Sequence, residues 1–248
     1  MSRNLAVFDF DHTIIDGNSD IVVRDLISPS KISSEVKELC KKDNWTNYMQ
    51  AVFKLLHENG VTEKDIRDRI EQLLPMKGMP DLIQHLFKLN YDIVVISDSN
   101  EVFIDMWLKK NDLYKYIYKI FTNPCTFVNG VLKIQMYHLQ TECKLSTKNL
   151  CKGKILQEFL SQRNAENVNF ENVMYVGDGF NDFCPILTLK ENNLACVRQN
   201  YQCAKMISLS KEGNSVDDSD TIYVVKPKIL FWNNGFDILN AIHEYSSE

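Results

Sequence analysis

Apolar residues fall along this chain in two rhythms. Short continuous runs stop abruptly at polar residues, and longer segments carry apolar positions three and four apart. "NLAVFD" at 4–9 is too short for a helix and apolar on both faces, which predicts a buried strand. "YDIVVISDSN" at 91–100, "YKIFTN" at 118–123 and "NVMYVGDGFND" at 172–182 repeat the pattern, and "NLACV" at 193–197 and "TIYVVK" at 221–226 complete the expected strands. "TFVNGVLKIQM" alternates around Asn129-Gly130, the signature of a tight β-hairpin.

Helical spacing covers roughly 18–28, 31–42, 45–58 and 62–74, then 79–90, 100–111, 149–162 and 232–245. "TEKD" at 62–65 reads as a capping box with Asp in place of Glu, just after the break at Asn59-Gly60. Pro75 and Gly78 interrupt the pattern before Pro80 opens the next helix. Strands alternating with helices predict an α/β fold with a doubly wound parallel sheet. About 80 residues of mostly helix separate the first two strands, far more than one crossover needs. Residues 16–75 therefore read as a helical cap inserted after the first strand, with residues 1–15 and 76–248 as the core.

Composition narrows the function. Of the 248 residues, 44% are hydrophobic and 25% charged, an ordinary globular balance. A net charge of −5 argues against nucleic acid as the main partner, since phosphate backbones need a basic surface. No apolar run approaches the ~20 residues that cross a bilayer, and the short N-terminal run leads straight into an acidic motif, unlike a signal peptide. A cytoplasmic protein without a membrane partner is expected. The seven cysteines are odd in number and irregularly spaced, which suggests free thiols. Cys143 and Cys151, with His138 nearby, have metal-ligand chemistry, but the lack of a Cys-x-x-Cys pair weighs against zinc.

The candidate chemistry lies where strands end. Ligands of open parallel sheets bind beyond the carboxyl ends of the strands. Three strands end here in polar clusters: Asp9 with Asp11, Ser97 with Asp98 and Asn100, and Asp178 with Asn181 and Asp182. One such cluster is an ordinary turn; three at the same edge predict a site. Several carboxylates in one crevice need a counter-charge. Mg2+ suits them, because it prefers carboxylate oxygens and commonly shares a phosphate oxygen with its ligands. Ser97, and Lys152 or Lys154 near a helix start, offer phosphate donors.

"DFDHT", "VVISDSN", "KGKIL" and "YVGDGFND" resemble, in this order, the four motifs of the haloacid dehalogenase-like phosphotransferases. The resemblance implies that Asp9 attacks phosphorus to form an aspartyl-phosphate, while Asp11 protonates the leaving alcohol and then activates water. It implies phosphate binding by Ser97 and Lys152, with Lys152 preferred over Lys154. It further implies Mg2+ held by Asp9, Asp178 and the main-chain carbonyl of Asp11, with Asp182 supporting from behind. An acid two residues after the nucleophile favours a phosphatase or mutase over a dehalogenase.

"IIDGNSD", "NWTNYM", "SDSNEVFID", "FTNPCTF" and "NDFCP" are similar to the eukaryotic phosphatases of phosphoethanolamine, phosphocholine and pyridoxal phosphate, closest to the pyridoxal phosphate branch. This implies a small-molecule phosphate monoester as partner, with Asp20 and Asp98 facing its leaving group. A spare carboxylate there attracts a cationic head. Trp45, Tyr48 and Met49 could wall the pocket or simply form a helix core face. His12 departs from the Asn or Glu usual between Asp11 and Thr13, and "MYHLQTECKLSTKNLC" lacks a second His and a middle Cys of the family's pattern. An isoprenyl phosphate substrate, a phosphomutase and a non-catalytic binding protein remain alternatives.

Overall fold

A computed structural model describes residues 3–40, 44–217 and 221–245. Among them the strands are β1 (Arg3–Phe8), β2 (Tyr91–Asn100), β3 (Lys119–Asn123), β4 (Cys125–Val128), β5 (Val131–Ile134), β6 (Phe170–Gly177), β7 (Leu194–Arg198) and β8 (Lys228–Trp232). Six of them form one sheet in the order β3-β2-β1-β6-β7-β8, with every neighbouring pair parallel. The expected α/β doubly wound architecture is present.

The alternation along each strand sorts its side chains between two layers. Ala6, Phe8, Ile93, Val95, Met174 and Val176 face one layer, packed by Leu82, Ile83, Trp107 and Ile238. These belong to helices α5 (Met79–Lys88), α6 (Glu101–Lys110) and α10 (Gly235–Tyr245). Leu5, Val7, Val94, Ile96, Val173 and Tyr175 face the other, packed by Ile155, Leu156, Ile186 and Ile207. Those come from α7 (Lys152–Ala165), α8 (Phe183–Leu187) and α9 (Gln202–Lys211). Coverage on both faces explains why β1 reads as a continuous apolar run.

Between β1 and α5 lie α1 (Ser19–Arg24), α2 (Ser34–Cys40), α3 (Trp45–Glu58) and α4 (Glu63–Glu71). Their two connections to the sheet run antiparallel: Ile15 bridges Pro75, and Met76 N donates to Ile14 O at 2.9 Å. The expected capping box opens α4, where Thr62 Oγ1 accepts from Asp65 N and Thr62 N donates to Asp65 Oδ2. α1 is shorter than its pattern predicts. Ser28 before Pro29 is extended, as a residue preceding proline prefers, and a 3-10 turn follows.

β4 and β5 form the expected hairpin, whose turn residues Asn129 and Gly130 both have positive φ, as a type I′ turn requires. The hairpin adds to the helical layer. Gln50 on α3 donates from Nε2 to Leu132 O at 3.2 Å and accepts at Oε1 from Ile134 N at 3.0 Å, pairing the β5 edge.

Two expectations fail near the C-terminus. "TIYVVK" is not a strand; the sheet edge is taken by "KILFW", after Pro227, and the final helix begins at Gly235. Ile222 and Val224 point outward, 60% and 69% exposed, while the Tyr223 ring packs edge-on against Phe183. β-propensity alone did not supply a pairing partner. Helices α8 and α9 were also not anticipated; in α9, Lys205, Ser208 and Ser210 interrupt the apolar residues and blur the stripe.

Candidate active site

β1 lies between β2 and β6, so the three polar strand tips are neighbours at one sheet edge. Asp9 extends the pairing by one step, its N–H donating to Val176 O at 2.9 Å. The chain then turns sharply: Ile14 N and Ile15 N both donate to Phe10 O, and His12 takes a left-handed conformation with φ 55°. That turn brings Thr13 Oγ1 to within 3.0 Å of Asp178 Oδ1. Arg198 at the end of β7 donates to His12 O at 2.5 Å and pairs with Asp16, holding the turn from outside.

At the centre stands Lys152, wholly buried at the N-terminus of α7. Its ammonium lies 2.7 Å from Asp9 Oδ2 and 2.8 Å from Asp182 Oδ1. Lys154, the alternative, is exposed. Asp182 Oδ1 also accepts from Tyr175 Oη at 2.7 Å, and its Oδ2 from the N–H groups of Asp178 and Gly179 at 2.9 and 2.8 Å. Both its oxygens are occupied. Asp178 differs: Thr13 holds Oδ1, and no hydrogen bond among the described residues reaches Oδ2.

Gly177 leaves room for this arrangement. A Cβ there would fall 2.5 Å from Asp182 Cγ and 2.6 Å from Oδ2. Gly177→Ala is therefore expected to lower unfolding stability by about 2 kcal/mol or more, through overpacking and a displaced buried carboxylate. Urea midpoints of the two proteins check this.

Asp11 is turned away from Lys152. Its Oδ1 accepts from Ser19 N at 2.9 Å and its Oδ2 from Ser19 Oγ at 3.2 Å; that hydroxyl lies 2.7 Å from Ser99 Oγ. Ser97 is fully buried, with its Oγ accepting from Ser99 N at 3.2 Å. Asp98 accepts at Oδ2 from Asn181 Nδ2 at 3.0 Å. Asp20, in the first turn of α1, accepts from Trp45 Nε1 at 2.6 Å on Oδ2, while its buried Oδ1 has no partner among the described residues.

A cavity of about 220 Å³, lined by Trp45, Thr46, Asp98, Met136 and Asn149, meets these groups at Asp98. Trp45 thus reaches the pocket wall, whereas Met49 is buried in the helical core. A buried amide network closes one side: Asn149 Nδ2 donates to Thr46 Oγ1 and Asn123 Oδ1, and Asn123 Nδ2 donates to the carbonyls of Asp98 and Ser99.

Electrostatics explain why these acids need one another's donors. Burial pushes Asp9 well above the usual carboxylate range, with Lys152 pulling it back. Burial and the nearby Asp20 charge push Asp11 up strongly, against the Ser19 hydrogen bonds. Asp178 and Asp20 are each raised to about 7, chiefly by burial. Burial alone would discharge Lys152, but Asp182 and Asp9 more than reverse it and keep the ammonium charged. One buried ammonium faces several carboxylates, so the crevice has a deficit of positive charge.

The donor set matches a hard divalent ion. Carboxylate oxygens of Asp9, Asp178 and Asp182 lie within 4.8 Å of one another. Two oxygens on one Mg2+ at about 2.1 Å stand at most about 4.2 Å apart. Asp178 keeps Oδ2 without a hydrogen bond among the described residues, Asp9 would have to share an oxygen with Phe10 N or Lys152, and Asp182 is committed to orienting Lys152 and the 178–179 backbone. Sequence reading had brought Asp9, Asp11, Ser97, Asp98, Lys152, Asp178 and Asp182 to this edge, and all are there. It missed Tyr175, Thr13, Ser19, Arg198 and the Asn123–Asn149 pair. Tyr175 carried one available signal, since its hydroxyl interrupts the apolar run over residues 173–177 of β6.

The profile of the family described as "Putative Phosphatase" matches residues 4–245. Pyridoxal phosphate phosphatase PHOSPHO2 of Homo sapiens is 35% identical over 241 residues, covering 96% of each chain. Phosphoethanolamine/phosphocholine phosphatase of Gallus gallus is 37% identical over 207 residues, covering 82% of this chain and 77% of the relative. A substrate-bound phosphoserine phosphatase structure superposes with a TM-score of 0.60 at 19% identity, covering 99% of both chains, and supports the fold. The chain belongs to this family of phosphatases.

Proposed function

We propose that the protein is a magnesium-dependent phosphomonoesterase working through an aspartyl-phosphate on Asp9, with pyridoxal phosphate or phosphoethanolamine/phosphocholine as substrate. The observation that carries this is Lys152, fully buried between Asp9 and Asp182. Such an ammonium fixes the attacking carboxylate and stands where phosphoryl oxygens gain charge. Asp9 attacks phosphorus, the bond to the leaving oxygen breaks, and Asp11 gives that oxygen its proton. Burial and the Asp20 charge raise Asp11, which favours the proton that an acid in this role must carry. Asp11, now a carboxylate, takes a proton from the water that attacks phosphorus. The bond to Asp9 then breaks and phosphate leaves.

Ser97 donates to a phosphoryl oxygen beside Lys152. Asp9, Asp178 and the Asp11 carbonyl would hold Mg2+, which would neutralise charge on the acids and on the phosphoryl group. Residues 16–75, together with the hairpin of β4 and β5, act as a cap that excludes water and selects the leaving group. Its hinge is the paired segments at Ile15 and Pro75.

Asp20 and Asp98 favour a cationic or pyridine-bearing alcohol, and Trp45 offers it an aromatic face. The names of the human and chicken relatives support such substrates. Phosphate release from pyridoxal phosphate, phosphoethanolamine, phosphocholine, glycerol phosphate and an isoprenyl phosphate, with and without Mg2+, tests the reading. Release from the nitrogen-bearing esters should dominate and should vanish with chelator. Dominant release from the isoprenyl ester, or undiminished release without metal, contradicts it.

Asp20 supplies a pH test. Its folded-state value near 7 exceeds the ordinary 3.8, so the native state binds the extra proton. Its contribution to stability is present at acid pH and is lost as pH rises through about 7. Asp20→Asn is expected to raise the melting temperature of the metal-free enzyme at about pH 8, with a smaller gain at about pH 5. The same variant should raise KM for phosphoethanolamine roughly 10-fold while sparing glycerol phosphate. Equal effects on both esters would remove Asp20 from head-group selection.

A further inference from the structure

Three cysteines far apart in sequence meet on the outer side of α7. Cys143 lies in the loop after β5, Cys151 caps α7, and Cys184 sits in α8. Cys143 Sγ is 3.3 Å from Cys184 Sγ, and Cys151 Sγ is 3.7 Å from it. Ser146 Oγ completes the cluster, 3.3 Å from Cys151 Sγ and 3.6 Å from Cys143 Sγ. The sequence had paired Cys143 and Cys151 with His138, whose Nε2 instead accepts from Cys151 N. Cys184 takes its place.

The surrounding backbone is built to hold these sulfurs. Gln140 folds its amide into the loop, accepting from Cys143 N and donating to the carbonyls of Cys143 and Thr147. Leu150 takes a positive φ of 64° just before Cys151. At Gly153 a Cβ would fall 2.5 Å from Cys184 Sγ, so the glycine leaves space for the sulfur. Cys143 and Cys184 are part-exposed at a surface groove, whereas Cys196 and Cys203 are fully buried elsewhere. Hydrogen bonds from Cys184 and Ser146 hold the Cys151 thiol down near 5 against its burial, while that same contact pushes Cys184 up.

We propose that Cys143, Cys151 and Cys184 form a second metal site, for a soft divalent ion of the zinc class, with Ser146 or a water as fourth ligand. Thiolates bound to one tetrahedral ion at about 2.3 Å stand about 3.8 Å apart; Cys151 and Cys184 are at 3.7 Å, Cys143 and Cys184 at 3.3 Å would part by about half an ångström, and all three sulfurs lie within 4.8 Å of one another. Sulfur selects such an ion, while the all-oxygen acid cluster at the sheet edge selects Mg2+. Each thiol that binds releases its proton to the buffer. Cys151 directly precedes Lys152, and Cys184 follows Asp182 by two residues. The ion therefore ties the start of α7 to α8 and keeps Lys152 against Asp182.

The test uses the reduced, chelator-stripped full chain, titrated with Co2+ and then Zn2+. One equivalent of Co2+ should give the near-ultraviolet thiolate-to-cobalt charge-transfer band, and Zn2+ should displace it. Cys143→Ser and Cys184→Ser should each weaken zinc affinity by about 100-fold, and Ser146→Cys should strengthen it by about 10-fold with a more intense cobalt band. Asp9→Asn should leave zinc affinity unchanged, separating this site from the acid cluster. The proposal is overturned if the unmodified chain shows no thiolate band. It is also overturned if zinc affinity is unaltered in Cys143→Ser and Cys184→Ser, or if these thiols form a disulfide in air while the reduced chain takes up no metal. Should Cys184→Ser fail to fold, the unmodified chain and Ser146→Cys still decide the question.

Discussion

Asp9→Asn is expected to cut phosphate release by about 10⁴-fold or more, because no other group occupies the attacking position. The amide keeps one oxygen to accept from Phe10 N, as Asp9 Oδ1 does at 2.6 Å. It also removes one charge from a crevice already short of positive charge. The amide NH2 then faces the Lys152 ammonium in place of Asp9 Oδ2, so urea midpoints measured beside turnover separate lost catalysis from lost stability. Asp11→Asn should behave differently, losing about 10²–10⁴-fold on alkyl esters through the missing acid and base. With an aryl ester, whose leaving group needs no proton, Asp11→Asn should still phosphorylate Asp9 and then stall. Steady-state rates beside single-turnover bursts check both variants. Equal defects in the two steps for Asp11→Asn would remove it from the proton role.

Lys152→Met is expected to damage both activity and fold. The methionine fills the space of the buried lysine stem but leaves Asp9 and Asp182 buried without their shared cation. Breaking a buried pair in this way costs about 3–5 kcal/mol. The two acids then favour their protonated forms in the native state, so the loss should deepen as pH rises and shrink in acid. Mg2+ should restore part of the stability, because it also neutralises Asp9. Activity should fall about 10³-fold or more even where the protein is folded. Urea unfolding at about pH 5 and about pH 8, with and without Mg2+, reads these effects. Lys152→Arg is not expected to rescue, since a planar fork does not fit between oxygens arranged around a compact ammonium.

The parts of this molecule that were legible in its sequence are those governed by local rules. The capping box of Thr62 and Asp65, the Asn129-Gly130 hairpin and the continuous apolar β1 each depend on a few adjacent residues. The convergence of Asp9, Asp98 and Asp178 was also readable, because parallel strands place their carboxyl ends on one side. Pairing partners at long range were not. "TIYVVK" has every local property of a strand, yet Pro227 and the next segment took the edge. Tyr175 donating to Asp182, Arg198 holding the His12 carbonyl, and Cys184 joining Cys143 and Cys151 all depend on how distant elements pack. The end of α1 was not legible: the helix stops at Arg24, whereas Pro29 restricts only Ser28.

Covalent capture of the phosphoenzyme tests the central claim most directly. The protein with Mg2+ is mixed with a turned-over ester and acid-quenched within one turnover. Borohydride reduction then converts an aspartyl-phosphate to homoserine, and peptide mass spectrometry locates it. Homoserine should appear at position 9, at no other carboxylate, and not in Asp9→Asn. Homoserine at Asp11 or Asp178, or none at all while phosphate is released in a burst, would contradict nucleophilic catalysis by Asp9.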